Sequence, residues 1–217
     1  MDMNTKYISK KADERIIEYI EERAYEPILV HSKGAVGENI SCHPDVFMCR
    51  LGAEDNSPLF IGDATKLSPD YPGDIRYNAA CTGRYFIHNL KYTDSDLLKE
   101  AKDRGMILID VKQGYSKCST VIVDESAIIT YDKGIAKACK PYEDLKVLLI
   151  EPGHIRLDGF DTGFIGGASG RLGNEIVFNG DLTKHPDFFK IIGFIDGRNL
   201  KCNWIPYYEL TDIGSIL

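Results

Sequence analysis

The stretch TVIVDESAIITYDKGIAKACKPYEDLKVLLIEP, Thr120 to Pro152, carries one complete structural unit in its pattern. Two β-branched runs, TVIVDE and AIITYD, meet at a short polar turn and read as a hairpin. GIAKACK then reads as a short helix that breaks near Pro141. Val147 to Ile150 follow as an unbroken apolar run, which marks a strand buried on both faces. The order is strand, strand, helix, strand.

Working outward, the parts of this unit recur along the chain. DVFMCRL with PLFIGDA, YNAACTG with RYFIHNL, and TGFIGGAS with NEIVFNGDL are each predicted to form a hairpin. Asp13 to Arg23 reads as a helix capped by Asp13, with Ile16, Ile17 and Ile20 on one stripe and the strand PILVHS behind it. TDSDLLKEAKDRG reads as a second, with Thr93 and Asp96 as a capping box, Gly105 as its stop and MILIDV as the next strand. In HPDFFKIIGFIDG, Pro186 suits a first helical turn and Gly193 is expected to end the helix and start a strand. The buried strands therefore begin near 28, 75, 107, 147 and 193, spaced by roughly 32 to 47 residues, a period that signals a repeat architecture. About five units of about 43 residues would fill a single domain of residues 1–217. The second is the least regular, because TKLSPDYPGDI stands where its helix should be.

Composition narrows the function class. With 43% hydrophobic residues among 217, the chain can bury a substantial core. No apolar run approaches the length of a membrane span, and MDMNTKYISKKADER lacks the apolar stretch of a signal peptide, so a soluble cytoplasmic protein without membrane contact is expected. A net charge of -7 disfavours nucleic acid, since phosphate neutralisation needs a basic stripe, and suits cationic small molecules better. The six cysteines, at 42, 49, 81, 118, 139 and 202, have no zinc spacing in the sequence and read as reduced thiols. Neither a metal nor a cofactor is expected.

The succession of units resembles the pentein, or guanidino-group-modifying-enzyme, fold, an α/β propeller of five ββαβ modules around a pseudo-fivefold axis. LDGFDTGFIGG, Leu157 to Gly167, is similar to the L-D-G-G-D-V element with which such enzymes present a guanidinium-binding carboxylate, with Phe160 in place of the second glycine. YNAACTGRYFIHNLKYTD and the ending ELTDIGSIL are similar to an uncharacterised branch of that fold, which has no assigned activity to carry over. Catalytic members carry their nucleophilic cysteine in a C-terminal L-T-C context. The matching LTDIGS has Asp212 there, and a carboxylate is a much poorer nucleophile toward an amidino carbon than a thiolate.

Superposing the units by DVFM, NAAC, TVIV, TGFI and DIGS brings Asp45, Asn78, Thr120, Thr162 and Asp212 to the axis that the resemblance implies, with His43 and Cys118 two residues earlier. Cys118 and His43 are then candidates for a nucleophile and base, and Asp45, Asn78, Asp158, Asp161 and Asp212 for holding a cationic substrate. Equally, Cys118 can be a small buried residue and His43 a loop residue. His154 reads either as a general base or as a solvent-facing turn residue, and Asp158-Gly159 is also a favourable turn. GGASGRLG is not a phosphate loop, because the Gly-Lys-Ser/Thr ending is missing and a strand follows it. His31, His88 and His185 read as packing residues. Two functions stay open: binding or hydrolysis of a guanidino or amidino cation in a central acidic channel, or a noncatalytic role through surface contact with a protein or ribosomal partner, comparable to the ribosome anti-association factors of the same fold.

Overall fold

Apolar periodicity and capping residues divide the chain into thirteen strands and five α-helices, described for residues 5–32 and 34–217 in a computed structural model; residues 1–4 of the expected domain lie outside the described residues. β1 (Thr5–Ser9), α1 (Glu14–Glu21) and β2 (Glu26–Val30) come first, followed by the short helix α2 (Pro44–Phe47) and the hairpin of β3 (Met48–Arg50) and β4 (Leu59–Ile61). Three full units follow. The first holds β5 (Ala80–Cys81), β6 (Tyr85–His88), α3 (Ser95–Asp103) and β7 (Ile107–Asp110), and the second β8 (Thr120–Asp124), β9 (Ala127–Thr130), α4 (Lys133–Cys139) and β10 (Lys146–Leu149). The third holds β11 (Ser169–Leu172), β12 (Glu175–Phe178), α5 (Phe188–Asp196) and β13 (Lys201–Trp204).

In every full unit the first two strands pair antiparallel and the third joins the second in parallel, as in Val121↔Ile129 and Ile129↔Leu148. A parallel neighbour cannot be reached by a tight turn, so the helix serves as the crossover. The result is a mixed α/β molecule of five small sheets, which do not merge into one closed barrel. β5 lies against β3 on one side and β8 on the other, and β11 lies against β8.

The first helix begins where expected: Asp13 accepts from the Arg15 N–H at 3.0 Å, and Ile16 and Ile20 are fully buried. α3 is capped by Asp94 rather than by Thr93, and the Thr93 hydroxyl instead meets the buried ring of His88 at 2.8 Å. Gly193 does not end α5. Ile191 and Ile195, one turn apart and both fully buried, continue one apolar stripe through it, and the strand starts only at Lys201. No strand begins near 75 either; Ile75 to Ala79 form a turn ahead of β5. TGFIGGAS is strand only from Ser169, because Gly163 to Ala168 turn inward instead of extending.

Among the described residues β1 and β2 have no hairpin partner nearby in sequence, and β1 finds one at the far end of the chain. The Tyr7 N–H donates to the Leu217 carbonyl at 2.7 Å, and the Leu217 N–H returns a bond of 3.0 Å. Ile216 in turn pairs with Gly170 of β11. The β3–β4 unit, in which TKLSPDYPGDI follows the hairpin, has an Asp63-capped turn in place of a helix.

Five segments, four of them just ahead of the first strand of a unit and the fifth at the C-terminal end, are linked by hydrogen bonds in series. The Asn78 side-chain amide donates to the Asp45 carbonyl at 3.1 Å, and the Lys117 N–H to the Asn78 carbonyl at 3.0 Å. Next, the Gly167 N–H donates to the Cys118 carbonyl at 2.8 Å, and the N–H groups of Ile213 and Ser215 donate to the Gly167 carbonyl. Finally the Asp45 N–H donates to the Gly214 carbonyl at 3.1 Å, and the series returns to its start.

Candidate active site

That hydrogen-bonded series brings polar side chains together. Asp45, on the first turn of α2, is fully buried; Asn78 precedes β5 and Cys118 precedes β8. The Cys118 thiol donates to Asp45 Oδ2 at 3.0 Å, and Asn78 Nδ2 donates to Cys118 Sγ at 3.3 Å. Asn78 Oδ1 accepts from the backbone N–H groups of Lys117 and Cys118, so one amide positions the thiol from two directions. Ser215 Oγ donates to Asp45 Oδ2 at 2.7 Å, and Lys117 Nζ donates to Ser215 Oγ at 2.8 Å. Asp45 Oδ1 is buried without a hydrogen-bond partner among the described residues.

Asp212 reaches the same place from the C-terminal segment. Its oxygens accept from the N–H groups of Phe164 and Gly214, each at 2.9 Å, and Oδ1 stands 3.9 Å from His43 Nδ1. The glycines of the inward-turning stretch make room for it. A Cβ on Gly167 would stand 2.0 Å from Asp212 Oδ1, and one on Gly166 would meet the backbone carbonyls of Lys117 and Thr120 at 2.3 Å.

A pocket of about 100 Å³ opens above this cluster. His43, Cys118 and Asp212 line it together with the aromatic rings of Tyr115, Phe160 and Phe164. Phe164 is held between Tyr115, at 6.0 Å, and Tyr131, stacked at 5.9 Å, while the Tyr115 hydroxyl donates to Asp74. Such walls exclude water and leave planar faces toward any occupant. Burial also sets the protonation states. It pushes the His43 pKa down to about 4, so the ring is neutral, and pushes the Cys118 thiol well above its ordinary range. The same desolvation raises Asp45 and lifts Asp212 to about 6, and it lowers Lys117 despite the surrounding acids. At pH 7 Asp212 is ionised, while burial shifts both Asp45 and Lys117 toward their neutral forms.

Five of the residues expected at the site, His43, Asp45, Asn78, Cys118 and Asp212, come together. The other three stand outside. Gly159 adopts φ +85° and the Phe160 N–H donates to the Leu157 carbonyl, a turn that tucks Leu157 inward and leaves Asp158 and Asp161 exposed. Asp158 pairs with Arg156 at 2.9 Å, and Asp161 lines a shallow surface depression with His154. His154 is itself exposed, with φ +64° and its ring edge-on to His185 at 5.7 Å. The register by units also shifts: Cys118 rather than Thr120 follows Asn78 in the series, and Gly167 rather than Thr162 follows Cys118.

Lys117, Ser215, Tyr115 and Phe164 were not legible as site residues. Ser215 carries one local signal, visible only in three dimensions: it is fully buried with φ +69°, a strained conformation for a residue with a side chain. The profile of one family, described as "Family of unknown function (DUF6873)", matches residues 54–217. No curated protein and no solved structure matches the chain.

Proposed function

The chain belongs to that family of unknown function, and from this premise we propose that its pocket binds the planar head of a small guanidino or amidino cation and hydrolyses a C–N bond of it. We further propose a pentein-type arrangement of five modules about one axis, a reading supported by the hydrogen-bonded series that returns to Asp45. The six free thiols support a reducing, cytoplasmic setting.

One observation carries the functional reading: an aromatic-walled pocket ends on a thiol, a neutral imidazole and the Asp212 carboxylate, with the Asp45 carboxyl group hydrogen-bonded to the thiol behind them. A carboxylate left uncompensated in a desolvated site is costly, and a cation offsets that cost. Guanidinium fits because it is flat, offers several donors to carboxylates and stacks on aromatic faces. In the reaction, the Cys118 proton passes to Asp45 as sulfur bonds to the amidino carbon, and it then goes to the departing nitrogen as the C–N bond breaks and ammonia leaves. From a guanidino substrate, water adds to the thiouronium carbon, the C–S bond breaks, and the products are a urea, the restored thiol and one proton; an amidino substrate passes through a thioimidate to an amide in the same way.

A panel of guanidino and amidino compounds, read for ammonia and urea products, tests this. Turnover that disappears in Cys118→Ala while the ligand-induced rise in melting temperature persists is the expected result. The burial that raises the thiol pKa favours a second reading, in which the protein is noncatalytic and works through contacts with a protein or ribosomal partner. Silence of the whole panel in both turnover and melting temperature would leave only that second reading.

A further inference from the structure

The cluster below the pocket holds a donor set that amidino chemistry does not require in full. A ring nitrogen of His43, a carboxylate oxygen of Asp45 and Cys118 Sγ all lie within 4.8 Å of one another, and all three residues are buried. A four-coordinate ion at zinc distances holds its ligand atoms about 3.3 to 3.8 Å apart, so small side-chain rotations would close this set around one. The carboxylate is already divided in the way such a site needs. Ser215 and the Cys118 thiol occupy Oδ2, whereas Oδ1 is buried with no partner among the described residues. An orphaned buried acceptor calls for an explanation, and a cation supplies one.

We propose that His43, Asp45 and Cys118 form a binding site for a zinc-class divalent cation. The mixed nitrogen, oxygen and sulfur donors select borderline metals, since calcium and magnesium take oxygen ligands. Three protein ligands leave a fourth position, and because His43 and Cys118 also line the pocket, that position faces it. Asp212 Oδ1, 3.9 Å from His43 Nδ1, is the acceptor that would close on the ring N–H and orient the imidazole once the other ring nitrogen holds the metal. On binding, the sulfur–metal bond replaces the S–H bond and the proton leaves to solvent. The metal thereby occupies the sulfur that amidino hydrolysis would use, so the two states of the site exclude each other. The metal site does not depend on that turnover.

Cobalt(II) added to the purified, reduced full chain is the probe. One equivalent should produce a thiolate-to-cobalt charge-transfer band together with the visible bands of four-coordinate cobalt, and zinc should abolish both. Cys118→Ser should lose the charge-transfer band, and Asp212→Asn should bind about 10- to 100-fold more weakly, the usual effect of removing a group that orients a ligand. Cys42→Ser is the control, because His31 Nδ1 lies 3.2 Å from Cys42 Sγ and forms the competing thiol–imidazole pair. A band that survives Cys118→Ser, or that vanishes in Cys42→Ser, overturns the proposal. If Cys118→Ser does not fold, His43→Gln decides: it should lose the four-coordinate cobalt bands, and an unchanged cobalt spectrum refutes the site. Loss of metal binding alongside intact amidino turnover would sink this inference alone.

Discussion

Gly167→Ala adds one methyl group beside the Asp212 carboxylate, and its effect can be worked from distances. Gly167 has φ outside the left-handed region, so the backbone raises no objection to alanine. The new Cβ would stand 2.0 Å from Oδ1, 2.4 Å from Cγ and 2.7 Å from Oδ2 of Asp212. To restore van der Waals contact the carboxylate must retreat by roughly 1 Å or more. That retreat breaks the 2.9 Å bonds from the Phe164 and Gly214 N–H groups. Each is a hydrogen bond to a charged group, worth about 1.5 to 3 kcal/mol, so the expected loss is about 3 to 6 kcal/mol. For a chain of this size it lowers the melting temperature by roughly 6 to 24 °C. Asp212→Ala forfeits the same two bonds and should cost a similar amount. In the double variant the clashing atoms are gone, so adding Gly167→Ala to Asp212→Ala should cost under about 1 kcal/mol, a coupling of at least about 2 kcal/mol. Urea denaturation at pH 8, where Asp212 is ionised, followed through the single tryptophan, Trp204, measures all three. Equal costs for Gly167→Ala with and without the carboxylate would refute the reasoning.

Two further outcomes are expected. His88 is fully buried with Nε2 3.0 Å from the Gly114 carbonyl, and burial lowers its pKa to about 4. As pH falls, the unfolded chain takes up this proton near pH 6.5 while the folded chain refuses it until about pH 4. Stability therefore drains away between those limits, by up to about 3 kcal/mol for this group; His43 acts in the same direction. Denaturation curves from pH 7 to pH 5 should be less steep in pH for His88→Gln than for the wild type, and parallel slopes would contradict the assignment. Asp161→Asn should leave calorimetric binding of a guanidino cation unchanged, because Asp161 is exposed and lies outside the pocket. A tenfold loss, about 1.4 kcal/mol, would return the carboxylate of LDGFD to the site.

The local units were legible because their signals are local. Asp13 caps α1, the TVIVDE and AIITYD runs pair as β8 and β9, and the helix-then-strand order holds in each full unit. Boundaries failed where a packing face overrode a single residue. Gly193 lies inside α5 because Ile191 and Ile195 bury one continuous stripe, which outweighs the modest helix cost of a glycine. The expected strand TGFIGGAS turns until Ser169, and the two aspartates that the resemblance of LDGFD aims at a pocket do not reach it.

The site divides in the same way. By itself the sequence put Asp45, Asn78 and Asp212 at one register position of their units and His43 and Cys118 two residues ahead of it, since that follows from counting along repeated units. It also determined an acidic chain with enough apolar residues for a core. Only the tertiary structure decided that Lys117 and Ser215 join the cluster, that Tyr115 and Phe164 wall the pocket, and that Leu217 completes the sheet of Tyr7. Those contacts join residues 98, 170 and more positions apart, as in Lys117 with Ser215 and Ser215 with Asp45. No local periodicity encodes such pairings: they arise when separate units pack and each buried donor or acceptor must find a partner or remain unsatisfied.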